Sequence, residues 1–136
     1  MIFDHEAAIL ARLAAQCAPG SRFAGTFDVV DFTDAAITPV VCQVTVARIT
    51  PGDQTGKTAR VQLAWHVSVY VDIHRASPEQ KTAAGALLSA AAAALVGYEI
   101  EPGRGLQLAD SPETGFDGRV LRLSVGFTLP AYFVGH

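Results

Sequence analysis

At 136 residues the chain is sized for one domain spanning residues 1–136, with half of its residues hydrophobic, 17% charged and a net charge of −3. Its arginines are scattered rather than gathered into a basic stripe, which argues against a nucleic-acid partner. The longest apolar run, Ala90 to Val96, falls far short of the roughly 20 residues a membrane span needs.

The start, Met1-Ile-Phe-Asp-His-Glu, lacks the basic stretch and apolar core of a secretory leader. With two cysteines on separate elements, Cys17 and Cys42, free thiols in a reducing cytosol are the simpler expectation. Asp4 is a plausible N-cap for a helix from His5 to about Cys17, in which Ile9, Leu10 and Leu13 recur at helical spacing. Pro19-Gly20 ends it. Ser21 to Thr38 reads as a strand with an irregular continuation, carrying Phe23, Phe27, Val29 and Phe32 among Gly, Asp and Thr. Pro39 to Ile49 alternates as a strand, with Val40, Cys42, Val44 and Val46 on one face and Gln43 and Thr45 on the other. Thr50 to Gly56 is turn chemistry.

The clearest element runs from Val61 to Ile73. Val61, Leu63, Trp65, Val67, Val69, Val71 and Ile73 share one face, while Gln62, Ala64, His66, Ser68, Tyr70 and Asp72 share the other. Alternation over that length predicts a long strand, dry on one face, whose ends project beyond the core or carry a bulge. Ser77-Pro78-Glu79-Gln80 then combines an N-cap, a first-turn proline and a capping-box glutamine. The helix that follows carries Ala84, Leu87, Leu88, Ala91 and Leu95 as its apolar stripe and stops at Gly97. Beyond it come a loop at Glu101 to Gly105, a short strand at Leu106 to Asp110, an acidic loop at Ser111 to Gly118, and an alternating strand from Arg119 to Leu129 closed by Pro130. Strands with one apolar face each predict an α+β fold: a mostly antiparallel sheet with two helices packed on one face. The other face is then wet or an interface.

No pattern supplies an active site. Gly52-Asp-Gln-Thr-Gly56-Lys57-Thr58 has three residues between its glycines where a phosphate-binding loop needs four, and it runs into a strand rather than a helix. His66 and His74 are too far apart along one strand to share a metal, and Asp72 with His74 lacks a third ligand. Neither cysteine has a flanking catalytic motif. Cys42 reads as a core residue, and Cys17 lies at a helix end that discourages a thiolate. The sequence thus predicts neither catalytic nor metal nor cofactor-binding residues.

The order of elements resembles that of phage tail terminators, most closely the version in Mu-like phages and prophages. The resemblance lies in the short N-terminal helix, the strand Val40 to Ile49, the long strand Val61 to Ile73 with its Ser77-Pro-Glu-Gln helix, and the closing strands near Leu106 and Arg119 to Leu129. It implies a virion protein without enzymatic activity or cofactor, made in the host cytoplasm and placed at the head-proximal end of the tail. There six copies would form a ring that ends tube polymerisation and meets the head–tail connector protein. Its partners would be itself, the tail tube protein and that connector. A ring subunit needs different contact surfaces on its sides and ends. Gln62, His66, Ser68 and Tyr70 on the polar sheet face, Asp53, Lys57 and Arg60 at one loop, and Asp110, Glu113 and Asp117 at another are the candidates. The alternatives are a hot-dog-type ligand binder or thioesterase, whose sheet would wrap the alanine-rich helix, and an assembly adaptor unrelated to phage.

Overall fold

The computed structural model describes residues 2–30, 32 and 38–135. In chain order these form α1 (Ile2–Gln16), β1 (Phe23–Ala24), β2 (Val40–Thr55), β3 (Thr58–Asp72), α2 (Pro78–Leu95), β4 (Glu99–Glu101), β5 (Arg104–Gly105), β6 (Gln107–Ala109), β7 (Gly115–Asp117) and β8 (Val120–Val134). The fold is α+β, as expected. Its main sheet runs β1-β2-β3-β8-β6, with β7 on the same outer edge of β8 as β6. Every pairing in that sheet is antiparallel except β1 with β2.

The alternation of β3 dictates the packing. Val61, Leu63, Trp65, Val67, Val69 and Val71 are all buried, and they meet Ile9 and Leu13 of α1 and Ala84, Ala91 and Leu95 of α2 in one cluster. Both helices therefore lie on the same face of the sheet. Small residues let α2 approach closely, and Arg12 of α1 donates to the Ala94 carbonyl at 3.1 Å while stacking on Tyr98 at 4.7 Å. A cation on the last turn of α2 also suits its dipole. The capping box forms as expected: Gln80 N–H donates to Ser77 Oγ at 3.1 Å, and Ser77 N–H to Gln80 Oε1 at 2.8 Å. Gly97, at φ 73°, takes the left-handed conformation that ends the helix.

Several boundaries differ from expectation, each for a local reason. α1 begins at Ile2, so Asp4 sits in its first turn, where its charge favours the helix dipole, instead of capping it. The expected turn at Thr50 to Gly56 shrinks to Gly56-Lys57, because Thr55 already pairs with Thr58. Gly56 alone has a positive φ there, 59°, as a type II′ hairpin requires. Pro130 does not close β8, which runs on to Val134. β6 last pairs at Thr128, so the outer edge of β8 needs no donor at residue 130. Glu101 to Gly105 is part of a small β4–β5 hairpin, and Ser111 to Gly118 contains β7. Of Ser21 to Thr38, residues 31 and 33–37 lie outside the described residues.

The second face of the sheet is less wet than its polar pattern implies. Ala24, Phe32 and Val41 form a smaller buried cluster against which Val30, Tyr70 and Val120 pack. Gln43, also buried, donates to the carbonyls of Gly25 and Asp28, each at 3.0 Å. Glu6 of α1 pins the same segment from its other side, accepting from Thr26 N–H at 3.0 Å and from the Thr26 hydroxyl. A Cβ at residue 25 would meet that carboxylate at 2.9 Å, so the Glu6 side chain would have to shift to admit one.

Replacing Ser77 by Ala removes one half of the capping box and should cost about 1 kcal/mol of stability. Urea denaturation should show a lower midpoint with an unchanged slope.

Candidate functional site

The chemistry-bearing side chains do not converge. Asp72 is fully buried and structural: it accepts from the backbone N–H groups of His74 and Arg75 at 3.1 and 3.4 Å and faces Arg119 Nε at 3.1 Å. No group of three or more metal-ligating side chains gathers among the described residues. Both cysteines are buried and free. Burial pushes the Cys42 thiol up to about 12, with the nearby Cys17 adding to the effect, and burial also raises Cys17. It is desolvation that holds Cys17 as a thiol, where the sequence pointed to its helix end. No helix is long and apolar enough to cross a membrane among the described residues.

What the chain does present is exposed surface with charged and large apolar side chains. β2, β3 and β8 run on as an exposed arm made of residues 47–60 and 133–135, with Tyr132 at its root under Arg104, 4.7 Å from the ring centroid. Two register shifts, at Val46/Arg48 and Pro51/Gln54, each insert one extra residue into β2 and re-phase it. Residues paired across strands share a face. Ile49 is aligned with the buried Leu63, and Phe133 with Ala59, so both lie on the helix side of the arm, 45% and 36% exposed. Arg48 and Arg60 lie on the opposite side with Ala64 and Tyr132, and Lys57 sits in the turn.

The far end of the outer edge of β8 is built differently. Arg122 Nη2 donates to the Glu113 carbonyl at 3.2 Å and Gly126 N–H to Ser111 Oγ at 2.8 Å, fixing the connection between β6 and β7. Asp110, Glu113 and Asp117 are all exposed along it. Leu108 and Phe116, 62% and 67% exposed, align with Phe127 and Leu121 on the helix side. On the open face a groove of about 390 Å³ is lined by Phe32, Gln43, Tyr70, Asp117 and Arg122 among others, and Phe116, at the rim of the sheet, borders it too. A third surface is the aromatic pair Phe3 and Phe27, ring centroids 4.9 Å apart, with Phe27 80% exposed.

The candidate residues read from the sequence thus fall into three groups. Asp53, Lys57 and Arg60 are exposed together on the arm, and Asp110, Glu113 and Asp117 on the β6–β7 edge. On the sheet face, Gln62 is exposed, while His66 and Tyr70 are half-buried. Ser68 is buried and its hydroxyl is committed to Ser124 at 2.7 Å, so it offers no surface in the subunit. Arg48, Ile49, Phe116 and Phe133 were not singled out. The isolated aromatic in Thr-Gly-Phe-Asp was the available signal for Phe116, but only the register exposes it.

His66 faces the open side beside Arg122. Burial, and to a smaller extent that positive charge, lower its pKa from the ordinary 6.5. A depressed histidine binds its proton less readily in the folded chain than in the unfolded one. Its contribution to stability is therefore present above pH 6.5 and lost as pH falls below it. An NMR titration should place the His66 midpoint below 6.5, and Arg122→Gln should move it upward. A Cβ at Gly126 would run into the Asp110 carbonyl. Gly126→Ala should therefore cost about 1–3 kcal/mol and speed proteolysis within 110–117, measurable by urea denaturation and limited digestion.

No protein-family model matches the chain, and no curated protein matches it in sequence. Among solved structures it is similar to a chain in the virion of a native gene transfer agent particle, with a TM-score of 0.52 and 20% identity, covering 95% of this chain and 93% of that one. At that identity the likeness is one of fold, and it spans nearly the whole of both chains.

Proposed function

We propose that this chain is a structural virion protein of a phage-like particle. Its role is that of a tail terminator: a ring at the head-proximal end of the tail tube that ends tube polymerisation and joins the tail to the head connector. The observation that carries this reading is the shared fold with a chain of a gene transfer agent virion over nearly the full length of both. The element order resembles tail terminators independently of that likeness. The ring has six copies by the same resemblance, and its partners are the tube protein below and the connector above. It works by contact and not by chemistry, without enzymatic activity or cofactor. The arm and the apolar residues exposed on both sheet edges are the kind of surface such contacts use.

Deletion of the chain from the particle-producing cell tests the role. Electron microscopy should show heads without tails and tubes of uncontrolled length, with complementation restoring joined particles. Tails of normal length attached to heads would overturn it.

A further inference from the structure

We infer that the arm is the contact by which one copy of this chain holds the next, docking on the β6–β7 edge of its neighbour. The inference rests on the ring-subunit reading and assigns the surfaces that make the ring.

The arm is a sheet extension that the helices leave bare. Its residues 47–60 carry Arg48, Lys57 and Arg60 against one carboxylate, Asp53. The edge at residues 107–118 carries Asp110, Glu113 and Asp117, and the cation beside it, Arg122 of β8, is committed to the Glu113 carbonyl. All six opposite charges are exposed, and none forms an ion pair among the described residues. They cannot satisfy one another within one chain. The arm tip adjoins Thr58 of β3, whereas β7 pairs with the start of β8, opposite Asp72. At about 3.3 Å per residue the length of β3 holds Lys57 and Asp117 roughly 45 Å apart, while Arg48 and Asp110, level with the middle of β3, are kept apart by the width of the sheet.

The two surfaces are also sorted alike across the sheet. On the arm the apolar Ile49 and Phe133 lie on the helix side and Arg48 and Arg60 on the open side. On the edge Leu108, aligned with the buried Phe127, lies on the helix side, and Asp117, aligned with Val120 and so with Asp72, lies on the open side. An arm laid beside a neighbouring edge with the sheets facing the same way brings apolar to apolar on one side and cation to carboxylate on the other. A flipped arm mismatches both. The pairing thus selects the partner, a second copy, and its orientation. Because the two surfaces differ, the contact is head-to-tail, which can close a ring.

Charge exchange tests it. Lys57→Glu/Arg60→Glu and Glu113→Lys/Asp117→Lys each place like charges in the contact. Sedimentation at low salt should find assembly of the wild-type chain, and about tenfold or greater weakening in each variant. An equimolar mixture of the two variants should regain assembly, because each arm then meets an edge of opposite sign. Mild oxidation of Arg60→Cys/Asp117→Cys should give a ladder of cross-linked copies, while the native thiols stay buried. Variants that assemble as well as the wild type, or a mixture that fails to recover, would overturn the arm-to-edge contact with the assembly reading intact. A wild-type chain that stays monomeric and a cysteine variant that gives no ladder would overturn it too. The virion role is judged separately, by the deletion above.

Discussion

The helix side of this molecule depends on one face of β3. Trp65 stands at its middle, fully buried between Val46 of β2 and Phe127 of β8. Its indole N–H has no acceptor among the described residues. An orphaned donor of that kind costs about 1–3 kcal/mol. Burying an aromatic of that size recovers about 4–6 kcal/mol at ~25 cal/mol per Å². Packing outweighs hydrogen bonding here, so the site tolerates an unsatisfied group in exchange for bulk. The two helices can settle on this face because their contact residues are small or aliphatic: Ala84 and Ala91 from α2, Ile9 and Leu13 from α1.

The same strand explains the arm. β3 has fifteen residues, which span roughly 45 Å when extended, whereas the eighteen residues of α2 rise about 27 Å. No single helix of that length can roof the strand, and α1 lies beside α2, not beyond it. The sheet must then run out from under its cover at one end. The loss of burial follows the geometry: Leu63 is fully buried, while Ile49, aligned with it across β2, is nearly half exposed.

Much of this was legible in the sequence where one physical rule dominates. Period-two alternation gave β3 its face, and the Ser77-Pro-Glu-Gln signal gave α2 its start, because each depends on neighbours in the chain. The misreadings came where a distant partner decides. Pro130 reads as a stop, yet an edge without a partner strand tolerates it. Thr50 to Thr55 reads as a turn, yet pairing with β3 draws it into β2 through two bulges. Ser68 reads as surface, but it meets Ser124 from a strand 56 residues away in sequence. The proposed contact surfaces were half legible: their charges could be picked out, but their placement on the two edges of one sheet is a property of register.

The bulges bear on how the arm makes contact. A long, flat, unpaired edge invites open-ended strand addition, and proteins blunt such edges with bulges, prolines and charge. The exposed edge of β2 carries all three: the shifts at Val46/Arg48 and Pro51/Gln54, Pro51 itself, and Arg48 with Asp53. On the other side of the sheet, β6 and β7 occupy the outer edge of β8 in two short pieces. Both edges thus discourage indiscriminate pairing while leaving charged and apolar side chains available. Such edges favour recognition through side chains over backbone ladders. Side-chain recognition is oriented, whereas backbone pairing along a bare edge accepts many registers and partners.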